Sequence, residues 1–253
     1  MDRQTAVELL EINQRFYSEF GDAFAATRRR IQPGVSRVLG SIPKEISSDW
    51  LDLGCGSGAL GQIWTGQQRC GSYTGLDFSG PLLREAQKST DGLSNVSLCL
   101  NYLPGDLMDP DWPAILDGKR FDGVLAFASL HHIPGHENHL RLFCQVRNLL
   151  KPGGRFILSV WQFQNSQKLM QRVQPWSKVN IMEDRLEPGD TLLDWRYALP
   201  DNKEKKGLRY VHLFSENELE NLAAESGFSA ADRFYSDGAE GNLALYMELE
   251  MIE

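Results

Sequence analysis

The stretch Leu51-Asp52-Leu53-Gly54-Cys55-Gly56-Ser57-Gly58 decides the fold, because a short apolar strand runs there into a loop with glycine at every second position. Glycine lets the backbone turn sharply and lets a ligand approach without meeting a Cβ atom. Asp77 ends the next apolar strand, over 73–77, where its carboxylate can accept hydrogen bonds from a ribose diol. Parallel strands open their ligand sites at their carboxyl ends, so this pair predicts a nucleoside pocket there.

Composition limits the class of protein. A chain of 253 residues, with 42% hydrophobic and 24% charged residues, can build one ordinary α/β core. No apolar run is long enough to span a bilayer, and the polar start over 1–4 is unlike a signal peptide, so we expect a cytoplasmic protein without membrane contact. The net charge of −8 gives no general attraction to nucleic acid, so RNA binding would require a local basic patch.

The cysteines show neither a CxxC motif nor a metal-ligand spacing to histidine. We therefore expect free thiols in a reducing compartment and no bound metal. The four residues are Cys55, Cys70, Cys99 and Cys144.

Periodicity predicts how the chain is organised. An amphipathic pattern over 4–20 predicts a first helix, although Asn13 interrupts its apolar face, and Pro33 suits the first turn of a second helix. From residue 49 short apolar strands alternate with helical segments, which is typical of a parallel sheet with crossover helices. The predicted strands of this part are 50–54, 73–77, 96–100, 122–127 and 155–161, and the predicted helices are 59–66, 80–88 and 137–150.

The second half of the chain begins with a less regular segment. Residues 162–210 show weak periodicity and are interpreted as an insertion or lid. A helix over 215–227, with Ser215 and Glu218 as a capping box, precedes strands near 229–236 and 242–250. The sequence thus predicts a single domain with four parts: an N-terminal helical cover (1–48), a core (49–161), the insertion (162–210), and a C-terminal helix with two strands (211–253).

Acidic residues follow the glycine loop in a definite order. Asp52 precedes the loop, Asp77 ends the second strand, and Asp106 follows the third, before a fourth strand over 121–127 and the turn 149–154. This order resembles that of class I S-adenosylmethionine-dependent methyltransferases, over roughly residues 35 to 250. The resemblance implies an α/β, Rossmann-like fold with a seven-stranded, mostly parallel sheet and helices on both faces. It also implies S-adenosyl-L-methionine as the cofactor.

By the same resemblance, the glycines line the methionine portion of the cofactor, Asp77 holds the ribose hydroxyls, and Asp106 with Leu107 flanks the adenine. Simpler interpretations remain open for two residues: Asp52 as a strand-end residue and Asp106 as part of a turn. The full set expected at the cofactor is Asp52, Gly54, Cys55, Gly56, Gly58, Asp77, Phe78, Asp106, Leu107 and Phe127.

The loop after the fourth strand bears on the methyl acceptor. It reads Ala128-Ser129-Leu130-His131-His132-Ile133-Pro134, and not the Asn/Asp-Pro-Pro-aromatic motif that commonly accompanies methylation of an exocyclic base nitrogen. No cysteine nucleophile for cytosine carbon lies in the loops after the fourth or fifth strand. The possible methyl acceptors that remain are an oxygen atom or another atom that is already nucleophilic. A carboxylate suits this site because it is ionised at pH 7 and needs no general base.

The flanking segments narrow the acceptor further. They resemble the tRNA wobble-uridine methyltransferase family, which esterifies a carboxymethyl group on carbon 5 of the wobble uridine. The matching segments are 16–17, 24–28, 160–164, 174–176 and 209–214. By this resemblance the residues expected at the methyl-transfer site are Arg28, His131, His132, Arg209 and His212, together with Tyr210. Arg28 could equally bind the methionine carboxylate of the cofactor.

The resemblance also implies partners. tRNA would bind through a local basic patch, for which the candidates are Arg28, Arg29, Arg30, Lys203, Lys205, Lys206 and Arg209. Eukaryotic members of the family work with a small activator protein, which makes such a protein a candidate partner here.

Two other hypotheses stay open. A small-molecule O-methyltransferase would close the lid 162–210 over an acidic or hydroxylated metabolite, and the acidic net charge favours it. A nucleotide-binding protein without catalysis would keep the fold alone, but the intact glycine loop and Asp77 argue against it.

Overall fold

The computed structural model describes residues 1–26, 31–93, 97–198 and 204–252. Its helices are α1 (Arg3–Ala26), α2 (Pro33–Ser41), α3 (Ala59–Gly66), α4 (Gly80–Thr90), α5 (His136–Leu149), α6 (Gln167–Met170) and α7 (Glu216–Glu225). Its strands are β1 (Ser48–Leu53), β2 (Gly71–Asp77), β3 (Leu98–Pro104), β4 (Phe121–Phe127), β5 (Leu150–Trp161), β6 (Val173–Gln174), β7 (Asp190–Ala198), β8 (Glu204–His212), β9 (Phe228–Ser236) and β10 (Ala244–Met251).

The central sheet has seven strands in the order β3-β2-β1-β4-β5-β10-β9. The pairs from β3 to β5 are parallel, and β10 runs antiparallel to both β5 and β9. β1 and β4 are buried along most of their length, as expected for strands covered on both faces. The predicted seven-stranded, mostly parallel sheet is confirmed, and its carboxyl ends place the glycine loop beside Asp77.

The third strand lies further along the chain than predicted. It spans Leu98–Pro104 and pairs with β2 from Gly71↔Leu98 to Asp77↔Pro104, whereas the sequence predicts 96–100. β3 is an edge strand and is only partly buried, and the polar Asn101 interrupts its apolar run just after the predicted end at residue 100. This register brings the end of β3 level with Asp77.

The two faces of the sheet carry separate apolar clusters. On one face α5 and α7 pack against the strands through residues such as Phe143, Phe156 and Leu219. On the other face α2 and α3 pack on Trp50 and Tyr73. Each cluster buries aromatic and aliphatic side chains, so the sheet is held from both sides and presents a rigid edge to the site.

The insertion forms a second sheet rather than an irregular lid. β6, β7 and β8 make a three-stranded antiparallel sheet, and α1 packs against it through a cluster that includes Leu9, Leu192 and Tyr210. The N-terminal helix and the insertion are therefore joined in one layer beside the carboxyl end of the central sheet.

Asn13, which interrupts the apolar face of α1, holds the helix to this second sheet. Its Oδ1 accepts a hydrogen bond from the backbone N–H of Tyr210 at 2.9 Å, and its Nδ2 donates to the Tyr210 carbonyl at 3.1 Å. Nδ2 also lies 3.3 Å from the carbonyl oxygen of His132.

Within the described ranges no helix combines the length and the apolar character needed to cross a bilayer.

Candidate functional site

The glycine loop is shaped by its backbone. Gly54, Gly56 and Gly58 have φ angles of 76°, 55° and 78°, in the left-handed region that L side chains rarely adopt. A Cβ atom on Gly54 would lie 2.7 Å from the Ser129 Cβ, and one on Gly58 would lie 2.7 Å from the Ala86 Cβ. The loop thus requires glycine at all three positions for its backbone conformation, and at Gly54 and Gly58 for lack of space as well.

Asp77 holds the loop in place through its carboxylate. Oδ2 accepts a hydrogen bond from the backbone N–H of Gly56 at 2.9 Å, and Oδ1 accepts one from Ser79 at 2.8 Å. Only 7% of Asp77 is exposed, and burial raises the pKa of its carboxyl group although the two amide hydrogen bonds oppose this. Asp77 nevertheless borders a cavity, so the carboxylate that orders the loop also faces the place where a ligand can bind.

The first cavity has a volume of about 260 Å³ and lies between the carboxyl ends of the strands and α1. It brings together eight of the residues expected at the site from the sequence: Gly54, Gly56, Asp77, Phe78, Asp106, Leu107, Phe127 and His132. The Phe78 side chain is half-exposed, and Asp106 is exposed with its Oδ1 accepting from the Met108 N–H at 2.9 Å. The cavity therefore offers an acidic group and flat apolar surfaces side by side.

The helix that covers this cavity contributes lining residues that are not among the site residues predicted from the sequence. Four residues of α1 line it: Leu10, Asn13, Gln14 and Tyr17. Tyr17 lies edge-on to Phe78, with ring centroids 5.9 Å apart. The sequence offered two signals: the amphipathic pattern of α1, which predicts a buried face without saying what that face covers, and the family resemblance of segment 16–17, which includes Tyr17.

A second cavity, of about 290 Å³, lies on the α2 side of the glycine loop. It shares Gly54, Phe127 and Ala128 with the first cavity. The structure places Asp52 and Cys55, two residues expected at the cofactor, in this second cavity. Gly58 lies at the N-terminus of α3 and is not among the described residues that line either cavity.

Asp52 is a buried carboxyl group in the wall of the second cavity. Its Oδ2 accepts a hydrogen bond from the Tyr73 hydroxyl. Burial, with a smaller contribution from the charge of Asp77, raises the pKa of Asp52 to about 7. The Cys55 thiol is partly buried, and burial raises its pKa far above the ordinary value, so it is not a thiolate nucleophile.

The adjacent histidines occupy different positions. His132 lines the first cavity, where its Nδ1 lies 3.3 Å from the Tyr210 carbonyl oxygen and its Nε2 lies 3.1 Å from the Tyr17 hydroxyl. A carbonyl oxygen only accepts, so the proton of neutral His132 belongs on Nδ1, and Nε2 accepts from Tyr17. His131 is buried beside Trp161, with ring centroids 5.9 Å apart, and its Nδ1 accepts from the Trp161 N–H at 3.3 Å.

Arg209 carries a buried positive charge next to this group. Only 3% of Arg209 is exposed, and its guanidinium lies 5.0 Å from the ring centroid of Phe16 and 5.3 Å from that of Trp161. Cations over aromatic faces are stabilised by the ring electrons. Trp161 lines the second cavity, so Arg209 lies beside a residue of that cavity, but Arg209 itself is not among the described residues that line either cavity.

His212 lies apart from both cavities. Its Nδ1 is 2.9 Å from Asp190 Oδ1 and its Nε2 is 2.7 Å from Glu218 Oε1, so both ring nitrogens have carboxylate partners. Burial disfavours the charged imidazole, but the hydrogen bonds to the two carboxylates outweigh it and raise the pKa of His212 to about 9. The ion pairs join β8 to β7 and α7, so the contacts of His212 are those of a structural residue and not of a group that touches a ligand.

The predicted basic patch is described only in part. Arg28, Arg29, Arg30 and Lys203 lie outside the described residues, as does the side chain of Lys205. Lys206 is exposed, whereas Arg209 is buried between aromatic rings, so these two residues do not share a surface. In the described ranges, no three side chains of His, Cys, Asp or Glu come together as a metal site.

The fold and the site define a class of enzyme. Residues 23–232 match the methyltransferase domain family, and the chain belongs to that family. The central sheet, the glycine loop and the acidic residue at the end of β2 are those of the S-adenosylmethionine-dependent methyltransferases. The expected class, the enzymatic activity and the cofactor are thereby confirmed.

Two proteins that are similar to this chain have names that specify a substrate. The chain is 26% identical over 246 residues to the tRNA (carboxymethyluridine(34)-5-O)-methyltransferase of Schizosaccharomyces pombe, which covers 89% of this chain and 92% of that protein. It is 32% identical over 200 residues to the chloroplastic 2-phytyl-1,4-beta-naphthoquinone methyltransferase of Arabidopsis thaliana, over 76% of this chain and 69% of that protein.

A solved structure with the same fold is that of the 1,6-didemethyltoxoflavin-N1-methyltransferase of Burkholderia thailandensis. It matches with a TM-score of 0.62 at 19% identity and covers 100% of this chain and 91% of that one. That structure contains 1,6-didemethyltoxoflavin and S-adenosylhomocysteine.

Proposed function

We propose that this enzyme methylates a carboxylate oxygen of a carboxymethyl group on the wobble uridine of tRNA. The observation that carries the proposal is the buried guanidinium of Arg209 over the ring of Trp161, a residue that lines the second cavity, because it is a fixed positive charge beside a cavity next to the glycine loop. The match to the fission yeast tRNA methyltransferase supports it, because that match extends over 89% of the chain.

The first cavity is the proposed place of the adenosine part of the cofactor. Asp77 supplies acceptor oxygens for the ribose hydroxyls, while Phe78 and Leu107 offer apolar surfaces to the adenine, next to Asp106. The lack of a side chain at Gly54 and Gly56 lets the remainder of the cofactor lie against the loop backbone. When bound, S-adenosyl-L-methionine would supply an electrophilic methyl group on its sulfonium: the acceptor oxygen would bond to the methyl carbon as the carbon–sulfur bond breaks, with S-adenosylhomocysteine as the leaving group.

The residues of this chain need only orient the acceptor and exclude water. A carboxylate is already ionised at pH 7, so proton abstraction is unnecessary, and proximity with correct alignment provides the acceleration. Arg209 would hold the acceptor carboxylate by a charge-assisted hydrogen bond. α1 covers the first cavity through Tyr17 and Asn13, which restricts the access of water. Arg28, His131 and His132 remain proposed members of the same site, whereas His212 does not.

Nucleosides from tRNA provide the direct test. A strain that lacks this enzyme should accumulate the carboxymethyl nucleoside at the wobble position and lose its methyl ester, as measured by mass spectrometry of digested tRNA. A plasmid copy should restore the ester, while a copy with Asp77→Ala should not. An unchanged nucleoside profile in the deletion strain would reject the tRNA acceptor.

A small acidic or hydroxylated metabolite is the second candidate acceptor. The net charge of −8 and the similarity to a naphthoquinone methyltransferase favour it, since neither points to RNA. In that case the purified enzyme would methylate a metabolite extract while tRNA nucleosides stay the same. The interpretation as a protein without catalysis is set aside because the chain belongs to an enzyme family.

A further inference from the structure

The second cavity separates the glycine loop from the start of α2. On the loop side it is lined by Asp52, Gly54 and Cys55, which are among the residues expected at the cofactor. On the helix side it is lined by Gln32, which immediately precedes α2, and by Val35 within the first turn of the helix. The position of α2 relative to the loop therefore sets the width of this cavity.

Asp237, in the turn between β9 and β10, holds the start of α2. Its Oδ1 accepts a hydrogen bond from the backbone N–H of Gly34 at 2.9 Å, and its Oδ2 accepts one from the Tyr246 hydroxyl at 2.7 Å. Asp237 is buried and also lines the second cavity. Because the N–H groups of a first helical turn have no acceptor within their own helix, a carboxylate at this place satisfies one of them and is favoured by the helix dipole.

Tyr246 forms the surface on which this first turn rests. A Cβ atom on Gly34 would lie 2.2 Å from Tyr246 Cε2, so only a residue without a side chain allows this close approach. The ring of Tyr246 is stacked on that of Phe234, with centroids 4.9 Å apart, and it lines the second cavity. Asp237 has a φ of 69°, a conformation that residues other than glycine keep only where surrounding contacts fix it. Helix, ring and turn are therefore held in one arrangement.

The two cavities share Gly54, Phe127 and Ala128 as lining residues. With the adenosine part of the cofactor in the first cavity, the remainder of the cofactor passes Gly54 and has the second cavity in front of it. This remainder is an amino-acid end that carries an ammonium group. The second cavity suits such a group, because the carboxyl groups of Asp52 and Asp237 line it and none of the described lining residues is basic. The methionine part therefore fits between the glycine loop and α2.

We propose that Asp237 and Tyr246 are positioning residues for the cofactor. They hold the first turn of α2 at a fixed distance from the glycine loop, so that the second cavity has the width that the methionine part of S-adenosyl-L-methionine requires. A site that is already ordered binds more tightly, because binding does not have to order it. This inference rests on the proposed function in one respect, the placement of the adenosine part in the first cavity, and it is independent of the methyl acceptor.

Two ligands separate this role from a general effect on the fold. S-Adenosylhomocysteine has the amino-acid end, whereas 5′-methylthioadenosine has the adenosine and the sulfur but lacks that end. The Asp237→Gly variant removes the carboxylate and tolerates the positive φ. In this variant we expect the Kd for S-adenosylhomocysteine to rise roughly 10-fold or more and the Kd for 5′-methylthioadenosine to stay within about threefold, as measured by calorimetry. Asp117→Gly is the matched control, because Asp117 is exposed, has a φ of 51° and likewise precedes a glycine.

Equal changes in the Kd of the two ligands in Asp237→Gly, or no change in either, would overturn the inference. Amide hydrogen exchange provides a readout that needs no ligand: the amide of Gly34 should exchange faster in Asp237→Gly than in Asp117→Gly, and equal rates would also overturn the positioning role.

The Asp237→Asn variant keeps an oxygen for the Gly34 N–H, so it should lose less affinity for S-adenosylhomocysteine than Asp237→Gly. If Asp237→Gly does not fold, Asp237→Asn decides by the same comparison of the two ligands. The placement of the adenosine part is tested separately. An Asp77→Ala variant with wild-type affinity for 5′-methylthioadenosine would show that this placement is wrong, and the inference would fall with it.

Discussion

The carboxylate of Asp77 accepts a hydrogen bond from the backbone N–H of Gly56 at 2.9 Å, which ties the end of β2 to the loop after β1. The same side chain borders the first cavity. One residue therefore both shapes the loop and presents acceptor oxygens to a ligand. Because of this double role, we expect cofactor binding to be sensitive to substitution of Asp77.

We expect Asp77→Ala to weaken S-adenosyl-L-methionine binding by roughly 10- to 100-fold, because a hydrogen bond to a charged group contributes about 1.5–3 kcal/mol. Isothermal titration calorimetry measures the Kd directly. Asp232→Ala is a suitable control, since Asp232 is an exposed residue of β9 that pairs with Arg37 at the surface. Equal affinities of the wild type and Asp77→Ala would exclude the first cavity as the cofactor site.

Arg209 provides the second prediction. Arg209→Lys keeps the positive charge but loses the planar group that lies near the rings of Phe16 and Trp161. We expect turnover of a carboxylate acceptor to fall by about 10-fold or more, while cofactor affinity changes little. Thermal unfolding of the same variant shows whether the loss of turnover reflects loss of the fold. Normal turnover would assign Arg209 to packing alone.

His212 gives a prediction for stability against pH. Its folded pKa of about 9 lies above the ordinary value of 6.5, because Asp190 and Glu218 stabilise the charged ring. The folded state therefore binds the proton more tightly, and this contribution is complete below pH 6.5 and disappears as the pH rises through 9. The free energy of unfolding of the wild type should lose up to about 3 kcal/mol over this window, at 1.36 kcal/mol per pKa unit.

Urea unfolding at pH 6 and at pH 9.5 measures the effect of His212. The His212→Gln variant should be less stable than the wild type at pH 6, and the difference should shrink at pH 9.5. His136→Gln is the matched control, because His136 is an exposed histidine with a surface partner in Glu225. If the His212→Gln and wild-type profiles ran parallel, the charged state of His212 would not contribute to stability.

Much of the central sheet could be predicted because its signals are local. The glycine loop needs left-handed φ angles, which restrict residue choice, and Asp77 ends a strand whose last five residues are buried. β3 was misplaced by a few residues because it lies at the edge, where partial burial weakens the apolar pattern. Local rules therefore locate the cofactor loop better than the boundaries of an edge strand.

The second sheet could not be predicted, because β7 and β8 are buried on both faces by different partners. Leu192 packs with α1 in one cluster, while the adjacent Leu193 packs with Phe163 in another. Charged side chains are buried here as well, among them Asp194 and Arg209. The alternation of polar and apolar residues that marks a half-buried strand is therefore missing, although the strands are regular.

The last prediction concerns Asn13, a polar residue on the apolar face of α1 whose position is explained only by the hydrogen bonds that it makes in the folded protein. Its amide group bonds both the N–H and the carbonyl of Tyr210, at 2.9 and 3.1 Å. Asn13→Ala would leave these buried backbone groups without their partner, so we expect a loss of about 2 kcal/mol in the free energy of unfolding. Gln14→Ala is the control, because Gln14 is the exposed neighbour that lines the same cavity. Urea denaturation measures both variants, and equal stability of the two would show that α1 is held by its apolar contacts alone.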